Sequence, residues 1–383
     1  MIPYGKQSIS ENDINAVVEV LKSDFLTQGP QVPRFEDAIK QAVNSQHAIA
    51  VSSATAALHI ACLALEVGKD DIVWTSPISF VASANCALYC GATVDFVDID
   101  LDTANMSVVA LTQKLEHAKR QGKLPKVVIP VHFSGQSCDM TAIAELAKAY
   151  NFAIIEDASH CIGGKYQGLP IGDCRYSDIC VFSFHPVKII TSAEGGIATT
   201  NNAALAQKMD LLRSHGTTRD QALMTKPPEG EWYYQQIALG YNYRMTELQA
   251  ALGCSQLQQL SGFVEKRNLL RQHYDDAFKS ISGVTPLVVK NDCRSSCHLY
   301  VIKVAADIHH ALFSHLRAEK IGVNLHYIPI YQQPYYQALG FTSEDFPHAE
   351  EYYSAAISIP LFAQLTEQEQ LYIVQTIRDF LCN

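Results

Sequence analysis

The sequence predicts an α/β protein with a mostly parallel sheet, helices on both faces of that sheet, and a second, smaller domain. Short apolar runs alternate with helical patterns between residues 47 and 156, and repeated βα units of this kind build parallel sheets. The chain has 383 residues, which is more than one ordinary hydrophobic core accommodates. We therefore expect a large domain over residues 1–261 and a small α+β C-terminal domain over residues 262–383.

The amino-terminal region predicts two helices joined by a loop. Ser10 and Asp13 have the spacing of a capping box, in which two side chains bind the free backbone N–H groups of a first helical turn. Apolar residues at positions 14, 17, 18 and 21 then share one helical face. A loop over 24–30 and a helix through 35–43 follow, and residues 1–20 are expected to pack in part with the small domain.

From residue 47 onward, the apolar runs and helical patterns predict a definite order of elements. The predicted strands are 47–51, 72–75, 94–99, 127–131, 152–156 and 179–182. The predicted helices between them are 54–65, 79–89, 108–118 and 140–150. Residues 216–240 are polar and contain prolines, and a loop of this length is uncommon unless it has a function. The rest of the chain predicts helices over 246–260, 262–281, 311–320 and 367–381, and a strand over 298–304.

The composition excludes several classes of protein. Apolar residues make up 48% of the chain and charged residues 18%, which is typical of a globular protein and not of a disordered one. The formal net charge of -10 leaves no basic field that would attract nucleic acid. The amino terminus lacks the apolar core of a signal peptide, and no apolar run reaches membrane-spanning length. We therefore expect a cytoplasmic protein that binds neither nucleic acid nor membranes.

The eleven cysteines are an odd number and contain no CxxC pair. Cys86 and Cys90 are four residues apart, as are Cys293 and Cys297, and His298 follows directly. Two thiols and one histidine without a second cluster are weak support for a zinc site. We expect no metal and interpret the cysteines as reduced structural thiols.

The first candidate for chemistry is Lys188, which lies five residues after Ser183 at the end of the buried run 179–182. Open α/β sheets bind their ligands at the carboxyl ends of the strands. A lysine at that position can form a Schiff base with an aldehyde cofactor or with a ketone. The alternative is an exposed lysine on a loop, which is the usual position of this residue type.

A matching acid, Asp157, closes the predicted strand over 152–156. A carboxylate at this strand end can meet a heteroaromatic cation, and their pairing favours the charged form of both groups. Enzymes that use pyridoxal phosphate hold the ring nitrogen protonated with an aspartate in this way. The alternative is a helix N-cap, because Asp157 also precedes Ala158 and Ser159.

A candidate anion site follows the first predicted strand. Ser53, Ala54 and Thr55 lie between strand 47–51 and the next helix, where free backbone N–H groups and a hydroxyl can point at one spot. Ser183 can add a further hydrogen bond to the same phosphate. The alternative is an ordinary capped helix start without a ligand.

Two ring-bearing side chains complete the candidate site. Phe80 follows another strand end and can stack on a planar cofactor, although an isolated Phe is more often a core residue. His160 lies three residues after Asp157 and can stack on the other ring face or bind a phenolic oxygen; its alternative is an ordinary loop histidine. No G-x-G-x-x-G follows a strand, and the stretch 163–165 does not fit a P-loop, so nicotinamide, flavin and P-loop sites are unsupported.

Five stretches of the chain, taken in order, resemble the motifs of the DegT/DnrJ/EryC1/StrS family of sugar aminotransferases. They are Ser53-Ala54-Thr55, Glu156-Asp157-Ala158-Ser159-His160, Ser183-Phe184-His185 with Lys188, Glu194-Gly195-Gly196 and Gly240-Tyr241-Asn242-Tyr243-Arg244. The resemblance covers nearly the whole chain. It implies the aspartate aminotransferase (type I) fold, which has a mostly parallel seven-stranded sheet in its large domain and a smaller α+β C-terminal domain.

By this resemblance the cofactor is pyridoxal 5'-phosphate, and Lys188 is the lysine that forms a Schiff base with it. Asp157 would hold the pyridine nitrogen, and Phe80 and His160 would flank the ring. The residues implied in phosphate binding are Ala54, Thr55 and Ser183, together with Asn242. Asn242 reaches the phosphate of the partner subunit in such enzymes, which implies a homodimer with shared active sites. Some members carry His in place of the lysine and dehydrate their substrates, and Lys188 argues against that branch.

Three further stretches, 25–30, 76–85 and 326–331, resemble the members of the family that act in the pseudaminic acid pathway. Such enzymes aminate C4 of a UDP-linked 2-acetamido-2,6-dideoxy-4-hexulose with L-glutamate as donor, which gives a UDP-4-amino-4,6-dideoxy-N-acetyl-altrosamine. By analogy the residues of the nucleotide-sugar pocket are Tyr4, Asp24, Phe25, Leu26, Thr27, Leu325, His326, Tyr327 and Ile328. Ile328 stands where a relative carries lysine, so a charge contact to the nucleotide is lost or supplied elsewhere. The alternatives are another nucleotide-linked keto sugar as acceptor, or a non-catalytic regulator that binds pyridoxal phosphate.

Overall fold

The computed structural model describes residues 1–382 and is built around a seven-stranded sheet with helices on both faces. Its strands are β1 (His47–Val51), β2 (Ile72–Thr75), β3 (Thr93–Phe96), β4 (Val127–Ile129), β5 (Ala153–Asp157), β6 (Lys165–Tyr166), β7 (Leu169–Pro170), β8 (Ile179–Ser183), β9 (Gly196–Thr200), β10 (Thr217–Thr218), β11 (Gln235–Gln236), β12 (Thr285–Pro286), β13 (Cys293–Arg294), β14 (Tyr300–Lys303) and β15 (Ala356–Ile359). Its α-helices are α1 (Glu11–Leu21), α2 (Gln31–Val43), α3 (Ala54–Ala64), α4 (Ala82–Tyr89), α5 (Val108–Gln121), α6 (Met140–Tyr150), α7 (Ala203–Arg213), α8 (Glu247–Leu257), α9 (Leu260–Phe278), α10 (Ala306–Ala318), α11 (Pro334–Gln337), α12 (Pro347–Ala355) and α13 (Glu367–Cys382).

The large sheet has the strand order β1-β9-β8-β5-β4-β2-β3. The pairs from β8 to β3 are parallel, whereas β9 runs antiparallel to both of its neighbours. The predicted α/β class with a mostly parallel sheet is therefore confirmed. The carboxyl ends of β2, β5 and β8 lie at the same edge of this sheet, which is where ligands bind in open α/β folds.

Both faces of the large sheet are buried, which explains the continuous apolar runs in its strands. In β8, Ile179 and Val181 enter the hydrophobic core on one face, while Cys180 and Phe182 enter the core on the other. Strand β5 divides in the same way, with Ile155 on the first face and Ile154 on the second. The alternation follows from the two-residue period of a strand.

A separate core belongs to the small three-stranded sheet β12-β14-β15 and to helices α10 and α13. Helix α9 connects this core to the rest of the molecule, because its Val264 packs in a large-sheet core and its Leu270 packs in the small one. The boundary that we predict at residue 262 therefore falls inside a helix. The amino terminus lies against the small sheet region, where Ile2 pairs with Ile321 and the Tyr4 carbonyl accepts the N–H of Leu361 over 3.0 Å.

Several predicted boundaries differ from the observed ones for physical reasons. The capping box of α1 is present, with Ser10 N donating to Asp13 Oδ2 over 2.8 Å. The helix predicted over 79–89 begins only at Ala82, because Ser79 and Phe80 stay in the loop that leaves β2. The polar stretch 216–240 contains the short hairpin β10–β11, and β9 and α7 follow Gly195, where the sequence pattern predicts no element.

Within residues 1–382 no helix is both long and apolar enough to cross a membrane.

Candidate active site

A cleft of about 500 Å³ opens at the carboxyl edge of the large sheet. Loops that follow β1, β2, β5 and β8 form most of its lining, and the segment 324–327 forms a further wall. The sequence-predicted residues that line it are Tyr4, Ala54, Thr55, Phe80, Asp157, His160, Ser183, Lys188, Leu325, His326 and Tyr327. The lysine, the acid, the anion site and the rings are therefore brought together, although they are spread over 300 positions of the chain.

Other predicted residues do not line the cleft of a single chain. The residues in this group are Asp24, Phe25, Leu26, Thr27, Asn242 and Ile328. Phe25 and Leu26 are exposed, and the Leu26 carbonyl accepts the N–H of Glu247 at the start of α8. Asn242 forms an antiparallel bridge with Ser214. Their part in the site is taken up under the proposed function.

The cleft also contains residues that sequence reasoning did not assign to it. They include Ser79, Ser83, His298 and Asn324. Ser79 and Ser83 carry a usable signal, because two hydroxyls four residues apart after a strand end fall on one side of a helical turn. His298 and Asn324 had no such signal, because only the packing of the small sheet against the large one brings them to the cleft.

Asp157 is 4% exposed at the end of β5, and both of its carboxylate oxygens are hydrogen-bonded. Ser83 Oγ donates to Oδ2 over 2.6 Å, and the backbone N–H of Ser159 donates to Oδ1 over 3.1 Å. No helix begins at this position, since residues 158–164 form turns. The N-cap interpretation of Asp157 is therefore wrong, and Asp157 instead lines the cleft.

Lys188 reaches the cleft from a turn in which its N–H donates to the carbonyl of His185 over 2.9 Å. Burial lowers the pKa of Lys188 to about 8, and the nearby carboxylate of Asp157 opposes part of this shift. An ordinary lysine has a pKa of about 10.4, so a much larger fraction of Lys188 is neutral near pH 7. A neutral amine is the form that attacks an aldehyde or accepts a proton.

His160 lies at the centre of a group of rings on the cleft wall. Its Nε2 is 3.1 Å from Tyr327 Oη, and its ring centroid is 4.4 Å from that of His298. Burial and the charge of Lys188 lower the pKa of His160 well below its ordinary value, and burial has the same effect on His298. Both imidazoles are therefore neutral, and the buried Nδ1 of His160 has no hydrogen-bond partner within residues 1–382.

His326 is held in one tautomer by its neighbours. Asn324 Nδ2 donates to its Nε2 over 3.4 Å, so the ring proton is on Nδ1, which donates to Ser358 Oγ over 2.8 Å. Burial lowers the pKa of His326 to about 3. The Tyr4 ring packs 5.3 Å from this imidazole, so the wall that faces Lys188 is aromatic and uncharged.

The candidate anion site lies where the register of three strands brings Ser183 close to the start of α3. Ser183 of β8 pairs with Gly196 of β9, and Gly196 pairs with Val51 of β1, from which the chain turns into α3. A Cβ atom on Gly196 would collide with the carbonyl carbon of Ser53 and the backbone nitrogen of Ala54. The glycine therefore allows the amino end of α3 to approach Ser183, and Ser53 caps this helix by accepting the N–H of Ala56 over 3.1 Å. Helix N-termini built in this way bind phosphate.

The cysteines are free thiols, and no group of three or more His, Cys, Asp or Glu side chains in residues 1–382 is placed to hold a metal ion. Cys62 on α3 contacts the thiols of Cys86 and Cys90 at α4, and His59 adjoins Cys90. The hydrogen bond with Cys62 and the nearby His59 lower the pKa of the Cys90 thiol to about 6.

Cys90 is expected to be the most reactive of the half-buried thiols, because the thiolate is the nucleophile. Burial raises the pKa of Cys254 to about 11 and that of Cys293 to about 12, although both are as accessible as Cys90. Iodoacetamide at pH 7, followed by peptide mass spectrometry, should label Cys90 at least about tenfold faster than either. Equal labelling rates for the three thiols would contradict the assigned environment of Cys90.

Comparison with known proteins agrees with this geometry. The model of the DegT/DnrJ/EryC1/StrS aminotransferase family matches residues 7–378. A Campylobacter jejuni protein named UDP-4-amino-4,6-dideoxy-N-acetyl-beta-L-altrosamine transaminase is 36% identical over 100% of this chain and 98% of its own. Helicobacter pylori PseC, an aminotransferase involved in the biosynthesis of pseudoaminic acid, has a TM-score of 0.90 at 32% identity and covers 99% of both chains. Spr1654 from Streptococcus pneumoniae, solved in its PLP-form, has a TM-score of 0.89 at 30% identity over 99% of this chain and 98% of its own.

The aminotransferases of this family use pyridoxal phosphate, and the cleft has the donor set which that cofactor requires. A half-buried lysine with a depressed pKa can bind the aldehyde. A buried carboxylate can pair with the ring nitrogen, and the glycine-backed end of α3 can accept the phosphate. His160, which lines the cleft, adds a buried Nδ1 that no group of the described residues binds.

The depressed pKa of Lys188 predicts how the apoprotein takes up its cofactor. The neutral amine attacks the aldehyde, so the rate of covalent uptake should rise with pH and level off above about pH 8. An ordinary lysine would give a rate that keeps rising toward a pH of about 10. Stopped-flow absorbance after mixing apoprotein with pyridoxal phosphate measures this profile, and a rise that continues beyond about pH 9 would contradict the assigned pKa.

The sheet topology, the lysine and acid at its carboxyl edge, and the likeness along the whole chain lead to the same conclusion. The protein is a pyridoxal phosphate-dependent sugar aminotransferase, and it belongs to the DegT/DnrJ/EryC1/StrS aminotransferase family.

Proposed function

We propose that this enzyme transfers the amino group of L-glutamate to C4 of a UDP-linked 2-acetamido-2,6-dideoxy-4-hexulose. The observation that carries the proposal is the cleft, which sets Lys188 and Asp157 opposite an uncharged wall of Tyr4, His326 and Tyr327. A wall of neutral rings suits the apolar face of a deoxy sugar, because aromatic surfaces bury apolar area and keep a polar edge for hydroxyls. The sugar named for the Campylobacter jejuni relative also supports this acceptor.

In this proposal each residue of the cleft has one task. When bound, pyridoxal phosphate supplies an electron sink that stabilises negative charge at the carbon next to the amino group. Asp157 keeps the ring nitrogen charged, and Ala54, Thr55 and Ser183 hold the phosphate. Lys188, part of which is neutral at moderate pH, accepts the proton from the α carbon of the amino donor and later returns a proton to C4 of the sugar.

The reaction is tested by the visible spectrum of the purified holoenzyme. Glutamate should remove the absorption band of the bound cofactor, and the UDP-linked 4-keto sugar should restore it. A band that disappears with glutamate but is not restored by this sugar would overturn the acceptor and keep the aminotransferase. A panel of nucleotide-linked keto sugars then tests the second candidate, which is a different acceptor of the same class. The exposed apolar Ile328 is the reason to test it, because this residue stands where a relative carries lysine and the nucleotide contacts of the two proteins therefore differ.

We also propose that the enzyme works as a homodimer in which each subunit completes the site of the other. The loop 216–240 exposes large apolar side chains, with Trp232 at 73% and Leu239 at 79% exposure. Phe25 and Leu26 are exposed as well, and Asn242 follows the same loop. Burial of these residues against a second copy would bring Asn242 and the segment 24–27 to the partner's cleft, which explains their absence from the cleft of one chain.

Subunit complementation tests this arrangement. Lys188→Ala and Asn242→Ala are each expected to be nearly inactive, and their mixed dimers contain one intact site. Unfolding and refolding an equal mixture should recover about one quarter of wild-type activity, because about half of the dimers are mixed and half of their sites are intact. Recovery no greater than that of the single variants, with mixed dimers shown by native mass spectrometry, would overturn shared sites.

A cytoplasmic location belongs to the same proposal. All eleven cysteines are free thiols, which is typical of proteins in reducing compartments. Fractionation of the native host cells, with the protein detected by antibody, tests this location.

A further inference from the structure

Two buried serines form a chain of hydroxyl groups that ends on Asp157. Ser83 Oγ donates to Asp157 Oδ2 over 2.6 Å, and Ser79 Oγ lies 2.7 Å from Ser83 Oγ. The three side chains are at most 4% exposed. Such short, desolvated hydrogen bonds to a charged group are stronger than neutral ones.

The direction of the two hydrogen bonds follows from the number of protons that each side chain carries. A hydroxyl has one proton, and Ser83 gives its proton to the carboxylate, which can only accept. Ser79 must therefore donate to Ser83, so that both hydroxyl dipoles point toward Asp157. Bonds that run in one direction polarise and strengthen each other in a buried site.

These hydrogen bonds fix the orientation of the Asp157 carboxylate. Oδ2 is held by Ser83, and Oδ1 is held by the backbone N–H of Ser159 over 3.1 Å. With both oxygens restrained, the carboxylate cannot rotate freely about its Cβ–Cγ bond. Ser79 and Ser83 also flank Phe80, so one short segment carries a ring of the cleft and the supports of the acid.

We propose that Ser83, supported by Ser79, is a positioning residue that holds the Asp157 carboxylate in the orientation that meets the charged ring nitrogen of the cofactor. The inference rests on the proposed role of Asp157. Neither serine needs to touch the reacting atoms, because each acts through the carboxylate.

The test measures cofactor affinity, which does not require turnover. Ser83→Ala should raise the dissociation constant of pyridoxal phosphate, from absorbance titration of the apoprotein, by roughly 10- to 100-fold, as expected for a lost hydrogen bond to a charge. Ser83→Thr keeps the hydroxyl and should restore most of the affinity. Ser76→Ala is the matched control, because Ser76 is as buried in the same loop but its hydroxyl accepts the N–H of Ile78 and does not contact Asp157.

A double-mutant cycle separates action through Asp157 from a general structural effect. In an Asp157→Ala background, Ser83→Ala should cause no further loss of cofactor affinity. A further loss of the same size would overturn the inference, and so would a Ser83→Ala protein within twofold of the wild type. If Ser83→Ala does not fold, the same cycle is carried out with Ser79→Ala. This variant should lose less cofactor affinity than expected for Ser83→Ala, and the loss should vanish in the Asp157→Ala background. A Ser79→Ala protein with the cofactor affinity of the wild type would overturn the inference.

These outcomes are distinct from failure of the proposed function. A wild-type enzyme that does not react with glutamate would overturn the proposed reaction, whereas the affinity cycle would still decide the role of the serines. A wild-type enzyme that does react, together with an unchanged Ser83→Ala affinity, would overturn only the role of the serines.

Discussion

Replacement of Lys188 by alanine is expected to lower turnover by about 10²- to 10⁴-fold, the range that a positioned acid–base group contributes. Lys188 is the lysine at the cleft, and its depressed pKa keeps part of it neutral at moderate pH. In the proposed mechanism the variant loses both the covalent attachment of the cofactor and the proton transfer. Cofactor bound through Asp157 and the anion site should remain, because those contacts do not involve the lysine.

The measurement is the steady-state rate of glutamate-dependent amination, with bound cofactor quantified after gel filtration. Lys165→Ala is a suitable control, because Lys165 is half-buried in β6 and lies outside the cleft. A Lys188→Ala enzyme that keeps more than about a tenth of wild-type turnover would contradict the assignment of this lysine.

Asp157→Asn is expected to lower cofactor affinity and turnover by about 10²- to 10³-fold, because removing one partner of a buried charge pair costs about 3–5 kcal/mol. The amide has nearly the shape of the carboxylate and can still accept the hydrogen bond of Ser83. It cannot supply the negative charge that keeps a ring nitrogen protonated. The loss therefore measures the charge and not the packing.

Glu156→Gln is the matched control for Asp157→Asn, because the adjacent carboxylate of β5 does not line the cleft. His132 Nδ1 accepts the N–H of Cys138 over 3.2 Å, so its proton is on Nε2 and is donated to Glu156 over 2.6 Å. We expect Glu156→Gln to lower the free energy of unfolding by about 1–3 kcal/mol, with cofactor affinity unchanged. A loss of cofactor affinity as large in Glu156→Gln as in Asp157→Asn would contradict the separate roles of the two acids.

The sequence predicts the large sheet well because its signals are local. The strands of residues 47–51 and 72–75 have the predicted bounds, and the buried run before Ser183 is a strand. Strand β9 has the sequence Gly-Ile-Ala-Thr-Thr, which is buried on both faces and too short to show a period. Its pairing with β8 is local, but its pairing with β1 joins residues more than 100 positions apart, which no local pattern reveals.

The residues of the candidate site also divide into those with a local sequence signal and those without one. Lys188, Asp157 and Ser183 could be predicted because each follows a recognisable strand, and strand ends meet at one edge of a sheet. The wall from Asn324 to Tyr327 comes from the small sheet, and only its likeness to a family pointed to it. Asn242 and the segment 24–27 are not placed at the cleft by one chain, so their predicted roles depend on a second copy.

The pairing of the amino terminus with the small sheet has a consequence for synthesis on the ribosome. The backbone N–H of Ile2 donates to Lys320, Gly322 N donates to Ile2, and the Tyr4 carbonyl accepts from Leu361. Because these partners lie more than 300 positions later in the chain, the first residues cannot take up their native pairing until that part of the chain has been made. Tyr4 lines the cleft, so this wall of the cleft is completed only after the strands of the large sheet have been synthesised.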